Sequence, residues 1–357
     1  MTNKQIDNIG VRIRTEYPKI SDEGYFDLQT IRTSYQSSVS NTFNELCDIV
    51  KKVNSLSIIS YRLKRLESII VKLQRYPKMK LNRMWDIGGC RCIVKSTKHV
   101  YKLRDHIRQK FTVRKEYDYI EKPQEEGYQS LHMFLESNNN KVIEVQIRTQ
   151  QQHNWATLVE ISDLLFDAGI KEFGRNRDLL LFHKLLSSKH SLSIDDKMIL
   201  AKILKKYDYY NKLIEVFLRN SPQVRRQWID IEKTPNKKYF ILKTSKEEVP
   251  EILAYETFEQ AEVQYFQMFL TNKSSNIVLT HLPKPNFNQI STAYSNYILT
   301  FHAFIKEWLS IYEELILQSI INNNVPDFKQ NYQEYVEMTF KQISALIEEI
   351  NKINELY

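Results

Sequence analysis

Residues Tyr117 to Thr149 read YDYIEKPQEEGYQSLHMFLESNNNKVIEVQIRT. The last part, VIEVQIRT, alternates apolar and polar side chains, the period-two signature of a strand buried on one face. Ile143, Val145 and Ile147 form one face; Glu144, Gln146 and Arg148 point the other way. A core strand that sends a carboxylate, an amide and a guanidinium to one surface serves more than packing, because those groups suit a metal, a nucleotide and a phosphate. Just upstream, Gly127, Tyr128, Gln129, Ser130 and His132 supply a flexible turn, an aromatic ring and hydrogen-bonding side chains. The stretch predicts a half-buried strand that carries a site for a charged nucleotide.

Working toward the N-terminus, YRLKRLESIIVKLQRYP spaces Leu63, Leu66, Ile69, Ile70 and Leu73 as a helix would. Lys64, Ser68 and Lys72 are four apart and Arg75 follows three later, so one exposed helix face is expected to hold three cations and a hydroxyl. Such a face matches a polyphosphate. In MWDIGGCRCIV, Asp86 opens an apolar, β-prone run, and Gly88 and Gly89 let another group approach the backbone. Asp86 and Glu144 then provide two carboxylates on neighbouring strand-like elements. Mg²⁺ takes about one or two carboxylates together with substrate phosphate oxygens.

These segments resemble the synthetase domain of the RelA/SpoT family, ATP-dependent pyrophosphokinases that make guanosine alarmones. The pattern R-x-K-x-x-x-S-I-x-x-K reads here as Arg62, Lys64, Ser68, Ile69 and Lys72; D-I-x-G-x-R reads as Asp86, Ile87, Gly89 and Arg91. DYI, GYQSLH and EVQIRT follow in the family's order, and the likeness covers roughly residues 55 to 160. It implies a mixed-sheet α/β core of nucleotidyltransferase type, flanked by helices. It also implies that Arg62 stacks on the adenine of ATP, while Lys64, Ser68, Lys72 and Arg91 hold the triphosphate. Asp86 and Glu144 would bind Mg²⁺, with Arg148 beside them in the catalytic set. Tyr128 would stack on the acceptor's base, with His132 and Gln146 lining the same pocket. The implied reaction moves the β,γ-pyrophosphate of ATP to the ribose 3′-hydroxyl of GDP or GTP.

Two departures bear on the acceptor. The family usually has a lysine directly before DYI and another directly after the proline, where this chain has Tyr117 and Gln124. Lys115 and Lys122 lie nearby as cations that could stand in. A branch of related toxins pyrophosphorylates the 3′ end of tRNA, and the acceptor expected here is a guanine nucleotide or, alternatively, that tRNA end. A catalytically inactive regulatory protein is the third reading, which the intact Asp86 and Glu144 oppose.

Composition sets the remaining bounds. The chain has 357 residues, no apolar run near membrane-spanning length and no secretory-type start, so a cytoplasmic protein without a membrane partner is expected. Cys47, Cys90 and Cys92 show no metal-ligand spacing, and the last two are expected as core thiols. Between Lys51 and Lys115, 19 lysines and arginines face three acidic residues, whereas the whole chain carries only +8. The basic character is thus concentrated where a triphosphate or RNA would bind. No His-Asp pair occurs, which excludes the HD-type metal motif of alarmone hydrolases.

The expected organisation is a helical lead-in over 1–54, the synthetase core over 55–168, a helical segment over 169–236 and a C-terminal α/β and helical module over 237–357. Asn41 is expected to cap a helix, Ser193 to cap another, and Asn220-Ser221-Pro222 to end a third. KYFILKT, EILAY and SNIVLTHL read as strands, with a helix from Thr257 capped through Gln260. Ile343, Leu346, Ile350, Ile353 and Tyr357 form an apolar stripe near the end. The C-terminal module is a candidate regulatory element or docking place for an antitoxin-like partner.

Overall fold

The structure, a computed structural model, describes residues 1–53, 57–137, 141–168, 170, 176–187, 192–271, 276–282 and 285–299, together with 341, 344 and 348. It has a mixed α/β fold. The lead-in consists of helices α1 (Asn3–Glu16), α2 (Asp22–Thr33) and α3 (Gln36–Val53). Asn41 lies inside α3 rather than at its start. Val39 is already buried, and no glycine or proline interrupts the run, so the apolar stripe extends the helix back to Gln36.

The VIEVQIRT run is strand β5 (Lys141–Thr149), with Ile143, Val145 and Ile147 fully buried as the alternation requires. Thr149 then caps helix α6 (Gln150–Phe166) in a reciprocal box with Gln152. Upstream of β5 come β1 (Ile58–Leu63), α4 (Leu66–Arg75), β2 (Gly88–Val94), α5 (Thr97–Lys110), β3 (Val113–Asp118) and β4 (Leu131–Ser137). Cys90 and Cys92 are buried on β2, as core thiols.

The expected helix face bearing Lys64, Ser68 and Lys72 is divided. Leu63 is buried as a strand residue, and the Lys64 N–H donates to the Ile87 carbonyl at 2.7 Å, so α4 starts only at Leu66. Period two governs through Leu63 and period 3.6 thereafter; Leu63 fits both.

Helices α7 (Arg177–Ser187), α8 (Ile194–Lys206) and α9 (Tyr209–Glu232) follow, with Ser193 capping α8 as expected. Pro222 does not end α9. The Ser221 hydroxyl donates to the Phe217 carbonyl at 2.6 Å, and beyond the proline Val224 and Trp228 continue the buried stripe. Burial of that stripe outweighs the one backbone hydrogen bond proline forfeits.

The last described elements are β6 (Tyr239–Thr244), β7 (Glu251–Tyr255), α10 (Phe258–Thr271), β8 (Asn276–His281), α11 (Phe287–Ala293) and α12 (Ser295–Ile298). The Gln260 N–H donates to Thr257 Oγ1, one half of the expected capping box. These strands do not form a sheet of their own. β8 pairs antiparallel with β1, giving one eight-stranded sheet in the order β3-β4-β5-β2-β1-β8-β6-β7, in which β2 and β5 are parallel. The main core fills one face of this sheet, under α1 to α5 and α10, and takes in Ile143, Val145 and Ile147. The opposite face of β2, β4 and β5 is left for other work. The apolar stripe from Ile343 to Tyr357 lies outside the described residues. No helix among the described residues is long and apolar enough to cross a membrane.

Candidate active site

Strand register assembles the site. Arg62 on β1 pairs with Gly89 on β2, Gly89 with Glu144 on β5, and Glu144 with Phe134 on β4. One step along, Ser60, Arg91, Gln146, His132 and Tyr117 form a second row across five strands. Residues in register project from the same face, so these two rows make one floor. Gly89 is the gap in it: a Cβ there would come no closer than 3.4 Å to Glu144, so the missing side chain leaves space for a ligand. Above the floor lies a cleft of about 420 Å³.

Asp86 sits just before β2 at the edge of the cleft. Lys64 Nζ and Lys72 Nζ both donate to its Oδ2, at 2.9 and 2.8 Å. Burial alone would raise this carboxyl, but the two lysines hold it well below the usual carboxylate range. Its Oδ1 is buried and has no hydrogen-bond partner among the described residues. Glu144 lines the same cleft, close enough for the two carboxylates to repel each other. Two hard oxygen donors with a vacant lone-pair site fit Mg²⁺. Among the described residues no set of three metal-ligating side chains gathers. Such an ion would therefore have to share its coordination with substrate oxygens.

Glu144 is oriented from its own face. His132 Nδ1 meets its Oε1 at 2.9 Å, and Gln146 donates to its Oε2 at 3.1 Å. On the other side of the imidazole, Nε2 meets the Tyr128 hydroxyl at 2.7 Å, and Arg148 donates to that hydroxyl at 3.2 Å and to Gln146 Oε1 at 2.5 Å. Burial works against a charged His132, but Tyr128 and Glu144 push its pKa up to about 9. Burial likewise raises Tyr128, yet Arg148 and His132 bring it down to about 8.

The structure gathers Arg62, Lys64, Lys72, Asp86, Arg91, His132, Glu144 and Gln146 around the one cleft. Burial and the neighbouring Arg148 and Arg62 cations bring Arg91 down to about 10. Such crowding of like charge is tolerable chiefly where an anion arrives. Ser68, Lys122, Tyr128 and Arg148 are not on the cleft's lining. Ser68 is half-buried on α4 and Lys122 is exposed. Tyr128 and Arg148 stand behind His132 and Gln146, supporting them.

Tyr117 and Gln124, the two expected departures, line the cleft together with Tyr119 and Phe134. The rings of Tyr117 and Tyr119 stack with centroids 5.8 Å apart, and Lys115 Nζ lies 4.5 Å from the Tyr117 ring. The β3 and β4 side of the cleft is thus rich in aromatic rings, whereas Arg62, Lys64, Lys72 and Arg91 line it from the β1 and β2 side. Ser60 was readable from the alternation in β1, which puts it on the face of Arg62. Tyr294 was not: it reaches the cleft from the C-terminal region, its hydroxyl donating to Ser60 Oγ at 3.3 Å across 234 residues.

The family described as "Region found in RelA / SpoT proteins" matches residues 61–164. The GTP pyrophosphokinase of Photobacterium angustum is 23% identical over 192 residues, which cover 52% of this chain and 26% of that protein. The GTP pyrophosphokinase YwaC of Bacillus subtilis is 31% identical over 147 residues, 37% of this chain and 68% of that protein. Among solved structures, small alarmone synthetase 1 of Bacillus subtilis bound to its product pppGpp aligns with 19% identity and a TM-score of 0.38, covering 50% of this chain and 96% of that one. The chain spans about a quarter or less of the length of several curated relatives it matches. With identity above three in ten over two thirds of YwaC, the chain belongs to the RelA/SpoT family.

Proposed function

We propose that this chain is an ATP-dependent pyrophosphokinase, moving the β,γ-pyrophosphate of ATP to the ribose 3′-hydroxyl of GDP or GTP. The observation that carries the reading is the two-row floor: two carboxylates and the cations Arg62, Lys64, Lys72 and Arg91 border one cleft, with aromatic rings at its far end. The new bond joins the acceptor's 3′-oxygen to the β-phosphorus, the α,β-bridging bond breaks, and AMP leaves with its electron pair. Such transfers depend on positioning and charge neutralisation more than on covalent chemistry from the protein.

In this reading Arg62 packs against the adenine while Lys64, Lys72 and Arg91 hold the triphosphate in line. Asp86 and Glu144 would hold Mg²⁺, which neutralises phosphate charge when bound. His132, whose pKa Tyr128 and Glu144 push up, orients Glu144 through the contact at 2.9 Å. In this reading a site carboxylate takes the hydroxyl proton. Gln146 and the Tyr117–Tyr119 pair border the acceptor.

The test offers purified protein γ-labelled ATP and Mg²⁺ with GDP, GTP or bulk tRNA in parallel. Label on guanosine tetra- or pentaphosphate supports the reading, and transfer to none of the three rules it out. A second reading, tRNA 3′-end pyrophosphorylation, is favoured by one observation: the cleft carries Tyr117 and Gln124 in place of the two lysines that would hold an acceptor's own 5′-phosphates. Label on tRNA alone would establish it.

A further inference from the structure

Arg32, on α2, is fully buried. Holding a guanidinium out of water is costly, and its Nη2 has no hydrogen-bond partner among the described residues, so the partners it does have are informative. Its Nη1 donates to Gln29 Oε1 at 3.3 Å, and Gln29 in turn donates to Glu262 on α10. The flat guanidinium lies 4.1 Å from the centre of the Tyr265 ring, also on α10. Its Nε donates to the Lys64 carbonyl at 2.9 Å.

That carbonyl belongs to the bend between β1 and α4, and the bend is held from every side. The Lys64 N–H donates to Ile87, one residue past Asp86. The Tyr265 hydroxyl accepts from the Leu66 N–H at 3.3 Å, at the first residue of α4. Arg65 donates to Asn276 on β8. Lys64 itself ends 2.9 Å from Asp86. Both Arg32 and Tyr265 lie outside the family match over 61–164.

We propose that Arg32, seated on the Tyr265 ring, is a positioning residue for Lys64: it fixes the backbone from which Lys64 reaches the phosphates of the donor nucleotide. The inference rests on the reading of Lys64 as a donor-phosphate ligand. It makes α10, in the C-terminal region, part of the support of the donor site.

The experiment titrates a non-hydrolysable ATP analogue with Mg²⁺ into the full-length protein by calorimetry. The samples are wild type, Arg32→Lys, Lys64→Met and the double variant. Lysine keeps the charge but loses the planar fork that stacks and donates. Arg32→Lys and Lys64→Met are each expected to weaken binding about tenfold, the scale of one charge-assisted hydrogen bond. Because Arg32 acts through Lys64, the double variant should bind no more weakly than Lys64→Met. Losses that multiply in the double variant overturn the proposal, as does unchanged affinity in Arg32→Lys when Lys64→Met is impaired. If Arg32→Lys does not fold, Tyr265→Leu replaces it, with the same non-additivity expected. A wild type that binds no analogue sinks the donor-site reading and this inference together, whereas an impaired Lys64→Met beside an unimpaired Arg32→Lys sinks the positioning role alone.

Discussion

His132 Nδ1 stands 2.9 Å from Glu144 Oε1, and the rest of the Glu144 side chain faces the cleft. Replacing Glu144 by glutamine keeps the shape and removes the charge. Turnover is expected to fall by about a thousandfold or more, the scale of losing a charged group at a phosphoryl-transfer centre. The far-ultraviolet circular dichroism should stay unchanged. Residual activity within tenfold of wild type would rule Glu144 out of the reaction.

The same pair sets a pH dependence. The folded pKa of His132, about 9, lies above its usual value of 6.5. The stability that Tyr128 and Glu144 together lend the charged His132 is therefore complete below about pH 6.5 and is lost as the pH rises through about 9. Proton NMR of the imidazole should show a midpoint near 9 in wild type. In Glu144→Gln the midpoint should move back toward 6.5; an unmoved midpoint would mean that Tyr128 alone governs the ring.

Gly127 has φ +93°, and a Cβ there would sit 2.2 Å from Ser187 Oγ. Its N–H donates to the Gln124 carbonyl at 2.8 Å, so the turn it makes also sets a residue on the cleft. Gly127→Ala combines strain with a clash, costing about 2–4 kcal/mol. The melting temperature should drop by about 5 °C or more, with the acceptor's KM rising more than that of ATP.

Removing residues 237–357 would be expected to raise activity if that region restrained the enzyme. The packing points to the opposite outcome. Ile241, Tyr265, Ile277 and Leu279 belong to the main core, and β8 pairs with β1. The truncated chain should give little soluble protein and no pyrophosphate transfer, measured as yield and labelled product. A soluble, active fragment would contradict this.

Much of the site half of the fold was legible because its signals are local. Period two in β5 put Glu144, Gln146 and Arg148 on one face without any knowledge of neighbours. The two carboxylates and Lys72 were likewise readable from their motifs. Lys64 was misplaced because Leu63 fits a strand and a helix equally, and only the bond to Ile87 decides between them. Pro222 was overread, since a proline penalty is local while the stripe it interrupts is buried by distant partners. Tyr294, Arg32 and Tyr265 had no local signal at all; their meaning comes from contacts across scores of residues or more.

The pairing of Tyr61 with His281 also has a temporal side. The Tyr61 carbonyl accepts from Thr280 across 219 residues, so β1, the strand that bears Arg62, leaves the ribosome long before its outer neighbour exists. At about 5–20 residues per second that interval lasts roughly ten to forty seconds, during which one edge of the strand has no ladder partner. The outer edge of β1 is covered only once residues 280 and 281 have been made, and a chain that stalls before them leaves the strand bearing Arg62 without that partner.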